Sequence, residues 1–199
     1  MSSTGLSSKT CLFCKPEFRV AQKIDETKNF FIITDGAPLG PGHILLIPKK
    51  HFSCYASLPE SLNEEFIDLR TKIIDFLEKH YGRTILFEHG ISGQTVFHAH
   101  LHFLPTEKKV FPYASKIYTV KEIKNFSALK NILKKDKGYL FFEEDGLSYV
   151  IKTKNPEPGF FHAYLLNKLL KVSGEFNERA KNAKTVSQTV KRLWKAIVV

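Results

Sequence analysis

Between Gln94 and Pro105 the chain reads Gln94-Thr-Val-Phe-His98-Ala-His100-Leu-His102-Phe-Leu-Pro105. Histidines at every second position, with apolar residues between them, fit an extended strand whose successive side chains point to opposite faces. A strand over 95–104 would put three imidazoles on one face and turn Phe97, Ala99, Leu101 and Phe103 toward a core. Histidine is uncommon on core faces, and three in a row are costly to bury without partners. The row therefore implies a site. Two chemistries fit it: a metal held by all three rings, or nucleophilic catalysis in which a neutral imidazole attacks and a neighbour moves protons. The glycine-bearing loop upstream, from Gly90 to Thr95, offers backbone and amide donors for phosphate oxygens.

The flanking pattern predicts the scaffold. Residues 1–10 read as a flexible tail. Short strands are expected from Phe18 to Ile24 and from Asn29 to Thr34, followed by the turn-rich stretch Asp35–Gly42. His43–Pro48 is an apolar run stopped by a proline, as in a buried strand. Ser57-Leu58-Pro59-Glu60 fits a capping box, and Gly82 closes the helix that would follow. Within it Leu62, Phe66, Leu69, Ile73 and Leu77 recur at helical spacing. Thr84–Glu88 reads as a strand and His89–Gln94 as a loop. Strands, one helix, then strands predict an antiparallel α+β domain over residues 11–105. Residues 106–199 form a smaller α/β extension: a basic helix over Val120–Lys135, a hairpin of Gly138–Phe142 and Leu147–Lys152, and helices over Phe160–Val172 and Ser187–Val198.

Charge separates the two parts. Residues 1–105 hold 11 Lys/Arg against 11 Asp/Glu, while residues 106–199 hold 19 against 9 and so carry the whole net charge of +10. Such asymmetry fits either a polyanionic partner or a soluble lysine-rich surface. No run of 18 apolar residues suggests a membrane span, and the polar N-terminus lacks the apolar core of a secretory signal. A cytoplasmic or nuclear protein is the expectation. Three cysteines make no disulfide framework; Cys11 and Cys14, spaced C-x-x-C, suggest a metal or redox pair, and Cys54 a small buried side chain.

The motif H-x-H-x-H-x-x-P after G-Q-x-V resembles the histidine triad family. Pro41-Gly42-His43-Ile-Leu-Leu-Ile-Pro48-Lys49-Lys50-His51 resembles the family's other strand, and Cys11-Leu-Phe-Cys14 its zinc-binding branch. The resemblance covers about residues 11–105. It implies a sheet-and-helix α+β fold that usually dimerises, and a nucleotide site working through a nucleotidyl-histidine intermediate. Carried over by position, His100 matches the nucleophile that attacks the α-phosphorus and His102 the histidine that contacts the phosphate. His43 matches a supporting histidine, Asp35 the residue that holds the ribose hydroxyls, and Gln94 and Thr95 the phosphate-contacting pair. Cys11, Cys14, His51 and His98 match a closed structural zinc set.

Two departures stand out. Glu88-His89-Gly90 replaces the family's Asn-x-Gly, placing a carboxylate where it would repel phosphate unless it faces elsewhere, and His89 is expected to be an exposed loop residue. The basic region 106–199 is open to two readings, a lid or dimer element that completes a polyphosphate site or a nucleic-acid surface. Three functions follow: cleavage of dinucleoside polyphosphates or nucleotide phosphoramidates, removal of 5′-adenylates from nucleic-acid ends, or a zinc-stabilised module without catalysis.

Overall fold

Two short apolar runs build the centre of the sheet. Every residue of β2 (Phe30–Thr34) and β3 (Ile44–Pro48) is buried, because both faces of these strands are covered. Alternation sends Phe30, Ile32, Ile44 and Leu46 into one core, and Phe31, Ile33, Leu45 and Ile47 against Cys11 and Phe13 on the other side. The computed structural model describes residues 11–15, 22–172 and 176–198. The expected tail and positions 18–21 of the first expected strand lie outside these. The end of that strand, Lys23 and Ile24, falls in β1 (Lys23–Glu26), which runs two residues past the expected end and is antiparallel to β2.

Helix α1 (Asn63–Tyr81) lays Phe66, Leu69, Ile73, Phe76 and Leu77 on the first core and ends at Gly82, whose φ of 90° favours glycine. It starts later than the capping pattern suggests. Ser57 Oγ donates to Cys54 O at 2.6 Å and closes a separate tight turn, Tyr55–Ser57. Pro59, extended and without an N–H, stands between that turn and a second one, Glu60–Leu62.

Strands β4 (Thr84–Gly90) and β5 (Leu101–Pro105) complete the part of the sheet that carries the histidines. Beyond them come a short helix α2 (Val110–Ala114), β6 (Thr119–Ile123), α3 (Leu129–Asp136), β7 (Tyr139–Glu144) and β8 (Leu147–Lys152). The hairpin is as expected. The expected helix over Val120–Lys135 is divided, because its first residues pair with β8 as an edge strand and only Leu129–Asp136 are helical. Strand order is β1-β2-β3-β5-β4-β7-β8-β6, antiparallel throughout, so the strands after residue 106 extend the same sheet. β7 covers the outer side of β4, with Leu86 opposite Glu143 and Gly90 opposite Tyr139. The two remaining edges, β1 (Lys-Ile-Asp-Glu) and β6 (Thr-Val-Lys-Glu-Ile), are short and charged, which disfavours pairing with another sheet.

A π-helical turn (Phe160–Leu165) leads into α4 (Leu166–Leu170), and Phe160, Phe161, Leu165 and Leu166 pack on Phe87, Leu140 and Phe142 as a second core. The last helix, α5, runs over Phe176–Val198, longer than the stretch expected from Ser187. Trp194 anchors it, donating Nε1–H to Asp25 (3.0 Å) and packing edge-on against Phe76. No described helix is long and apolar enough to cross a membrane.

Candidate active site

The histidine row does not lie on one continuous strand. β5 begins at Leu101, so only His102 stands in the ladder, opposite Leu45 of β3 and Phe87 of β4. Val96 and His98 form a tight turn, and Ala99 N–H donates to Phe52 O (2.7 Å), which holds the lead-in off the sheet. Phe97 consequently points to solvent at 46% exposure instead of into the core, while Ala99, Leu101 and Phe103 are in the core as expected. The bend gives the histidines separate tasks.

His98 turns to the cysteines. Its Nδ1 lies 3.4 Å from Cys11 Sγ and 3.5 Å from Cys14 Sγ, and His51 Nδ1 lies 3.4 Å from Cys14 Sγ. The four donor atoms are within 4.8 Å of one another. Bond lengths of about 2.3 Å to sulfur and 2.0–2.1 Å to nitrogen give S···N edges of about 3.5 Å in a tetrahedron, so this geometry fits zinc. His98 Nε2 contacts Pro48 O at 2.8 Å, and since a carbonyl only accepts, Nε2 carries the hydrogen and Nδ1 presents its lone pair to the thiols. The Cys/His cluster is thus compatible with zinc.

His100 and His102 face a cavity of about 320 Å³ between the sheet, the Cys11–Cys14 turn and the π-helical turn. Leu12, Phe13, Leu45 and Val96 form apolar walls, and Asp35, His89, Thr95 and His162 also line it. Hydrogen bonds fix the ring tautomers. His100 Nδ1 donates to His98 O (2.6 Å), leaving the Nε2 lone pair free to react. Leu39 N–H donates to His43 Nδ1 (3.1 Å), so neutral His43 carries its hydrogen on Nε2 and passes it to His102 Nδ1 at 3.0 Å. His102 must then bear its own hydrogen on Nε2, a buried atom without a partner among the described residues. A backbone amide four residues before His43 thereby makes His102 a donor toward the cavity.

Electrostatics keeps these rings neutral. Burial lowers His100, and lowers His89 and His102 well below the ordinary histidine value; it brings His43 down to about 4, with Asp35 opposing. Burial alone would raise Asp35, but His43, His162 and His102 around it hold its carboxyl well below the usual range. Asp35 also accepts from Ala37 N–H at 2.7 Å. Gln94 turns its amide toward Ser53 O (2.8 Å), whereas its neighbour Thr95 lines the cavity.

The carboxylate of Glu88 faces away from the site. Strand alternation puts it on the opposite side of β4, where it accepts from Tyr55 N–H (2.7 Å) and Tyr139 OH (2.6 Å). Burial raises its pKa from 4.5 to about 7, against those two hydrogen bonds. Because the folded value lies above the ordinary one, its stabilising effect is complete below pH 4.5 and is lost as pH rises through about 7. A Glu88→Gln variant cannot ionise and keeps an acceptor for Tyr55. Its stability relative to wild type is expected to rise by about 3 kcal/mol, or about 5–10 °C in Tm, between pH 4.5 and 8. A constant difference in thermal melts across that range would contradict a buried, protonated Glu88.

Three site residues escape the sequence reading. His89 is buried in the cavity wall and not exposed in a loop: β4 runs on to Gly90, and His89 shares the face of Phe87. His162 arrives on the π-helical turn, 3.4 Å from Asp35, and accepts from Arg179 Nη2 at 3.2 Å. Extending the alternation Ile85-Phe87-His89 by one residue finds the first. His162 is a single polar residue in an apolar run and Arg179 one of many charges in a polar stretch, so neither gave much signal.

The HIT domain family matches residues 19–109. An uncharacterised HIT-like protein of Chlamydia trachomatis is 35% identical over 89 residues, 41% of this chain and 78% of that protein. A Dictyostelium discoideum protein named bis(5'-adenosyl)-triphosphatase is 32% identical over 99 residues, 46% of this chain and 64% of that one. A crystal structure titled a zinc-bound histidine triad family protein, from Mycobacterium smegmatis, is 28% identical with a TM-score of 0.42, covering 51% of this chain and 78% of that one. With a triad at His98, His100 and His102 inside a region that spans most of the chlamydial protein, this chain belongs to the histidine triad (HIT) family.

Proposed function

We propose that the chain is a nucleotide hydrolase that cleaves at the α-phosphorus through a nucleotidyl-histidine intermediate. One observation carries this reading: hydrogen bonds orient His100 as a neutral imidazole with a bare Nε2 beside His102 with an Nε2–H directed at the cavity. The His100 Nε2 lone pair forms a bond to phosphorus, and the bond from phosphorus to the leaving group breaks. His98 O stabilises the Nδ1–H of the imidazolium so formed, and His102 donates to a phosphoryl oxygen. Water then adds to phosphorus, the N–P bond breaks, and the water's proton leaves to solvent with release of the nucleoside monophosphate.

Cys11, Cys14, His51 and His98 would hold a structural zinc ion that clamps the lead-in to β5; four protein ligands leave it no open position for chemistry. Asp35 is assigned to the ribose hydroxyls and Thr95 to the phosphate, with Gln94 fixing the loop between them. Within the C-terminal extension, the segment that carries Gly159 and His162 acts as a lid, since both line the cavity. Dinucleoside polyphosphates are the first substrate class, supported by the name of the Dictyostelium relative; nucleotide phosphoramidates are the second. The same reading includes a homodimer joined away from the charged sheet edges, which sedimentation velocity tests. Incubation with diadenosine triphosphate, followed by chromatography, is expected to release AMP. No release from that substrate or from an AMP phosphoramidate would remove the hydrolase reading and leave the zinc-stabilised module.

A second reading rests on α5, where Lys181, Lys184, Arg192 and Lys195 are exposed along one side of the helix. Such a stripe suits a nucleic-acid backbone, and with it the removal of 5′-adenylates from nucleic-acid ends. Binding of a 5′-adenylated oligonucleotide would then weaken about 100-fold or more between 50 and 200 mM salt. Binding unaffected by salt would dismiss it.

A further inference from the structure

His89 lines the same cavity as His100 and His102, and a ring nitrogen from each lies within 4.8 Å of the others. Its Nε2 accepts Phe161 N–H at 3.0 Å, so the neutral ring carries its hydrogen on Nδ1. Gly93, at a φ of 73°, lets the loop pass close by: an added Cβ there would sit 3.0 Å from Glu157 O and 3.5 Å from the His89 ring. Gly159 N–H bonds Gly93 O (2.7 Å), so the C-terminal segment and the loop together fix the imidazole.

No Lys or Arg lines the cavity among the described residues. Among these residues, charge on a bound phosphate is met by N–H donors, and two imidazoles beside the nucleophile can each bond one oxygen at about 2.8 Å. We infer that His89 is a phosphate-binding residue that donates Nδ1–H to a phosphoryl oxygen, as His102 does from its Nε2. The inference rests on the nucleotide-site reading above and adds a donor positioned by residues 157–161, far from the triad in sequence. An arrangement of three bare imidazole nitrogens for a metal is not available, because Leu39 N–H and His43 commit His102 Nε2 to a hydrogen.

Two substitutions separate donation from structure. A glutamine amide takes the place of Nε2 and can still accept from Phe161, but it offers nothing at Nδ1. An asparagine amide takes the place of Nδ1 and abandons Phe161. Calorimetric titration of the full-length, zinc-loaded protein with AMP and with adenosine reads the difference. His89→Gln is expected to weaken AMP on the order of 10- to 100-fold while adenosine stays within about threefold of wild type. His89→Asn is expected to keep both within about threefold. AMP binding retained by His89→Gln, or lost equally with adenosine in either variant, would assign His89 to structure alone and overturn the inference. Absence of AMP and adenosine binding in wild type would instead overturn the nucleotide-site reading, and this assignment with it.

Discussion

Replacing His100 by alanine is expected to lower AMP release from diadenosine triphosphate by about a thousandfold or more. The reason is specific to one atom. Nε2 of His100 is the bare ring nitrogen at the cavity, since its own Nδ1 is committed to His98 O and His102 presents a hydrogen. Without it, water must attack phosphorus directly, aided only by the remaining donors. The Cys/His cluster is untouched, so the variant should fold, match wild type in metal content and bind AMP within about threefold of wild type. Acid quenching with α-labelled substrate should trap a protein-bound nucleotide in wild type and none in His100→Ala. Equal AMP release by the two proteins would place the nucleophile elsewhere.

Changing Cys14 to serine is expected to remove about one equivalent of zinc per chain and to cost about 4–5 kcal/mol, or roughly 10–20 °C in Tm. Cys14 reaches both histidines of the cluster, and the turn from Cys11 to Cys14 carries Phe13 under β2 and β3. Phe13 also meets His100 edge-on, with ring centroids 5.2 Å apart, and lines the cavity. Losing the metal should therefore loosen the ligand cavity as well as the core. Elemental analysis and thermal melts under reducing conditions check this. Wild-type protein without metal, with a melting point that responds to oxidant, would favour a redox pair.

Much of this was legible because it depends on period. Short apolar runs at Phe30–Thr34 and Ile44–Pro48 and the alternation in Leu101–Phe103 give strands, and the spacing from Phe66 to Leu77 gives the helix that covers them. Where the sequence misled, tertiary contacts overrode the local pattern. Phe97 continues the alternation, yet the turn at Val96–His98 and the bond from Ala99 to Phe52 take it out of the ladder. Val120 and its neighbours suit a helix, but β8 offers them a strand partner. Glu88 looked like a threat to phosphate only until Tyr55 and Tyr139, distant in sequence, supplied its donors. His162 and Arg179 meet Asp35 through pairings some 125 residues or more apart, which no periodicity encodes.

The pairing of β4 with β7 sets an order on biosynthesis. All seven residues of β4 are buried, and its partner emerges some 57 positions later, Glu143 after Leu86. A ribosome that has just released Pro105 has exposed every signature histidine and cysteine, together with a bare strand that offers apolar side chains and unpaired backbone groups. That intermediate is the one most exposed to mispairing with a neighbouring nascent chain. A stop codon after residue 105 would make this transient state permanent. Although the triad and the cysteines all precede it, the shortened product is expected to appear in inclusion bodies and not as a smaller folded protein.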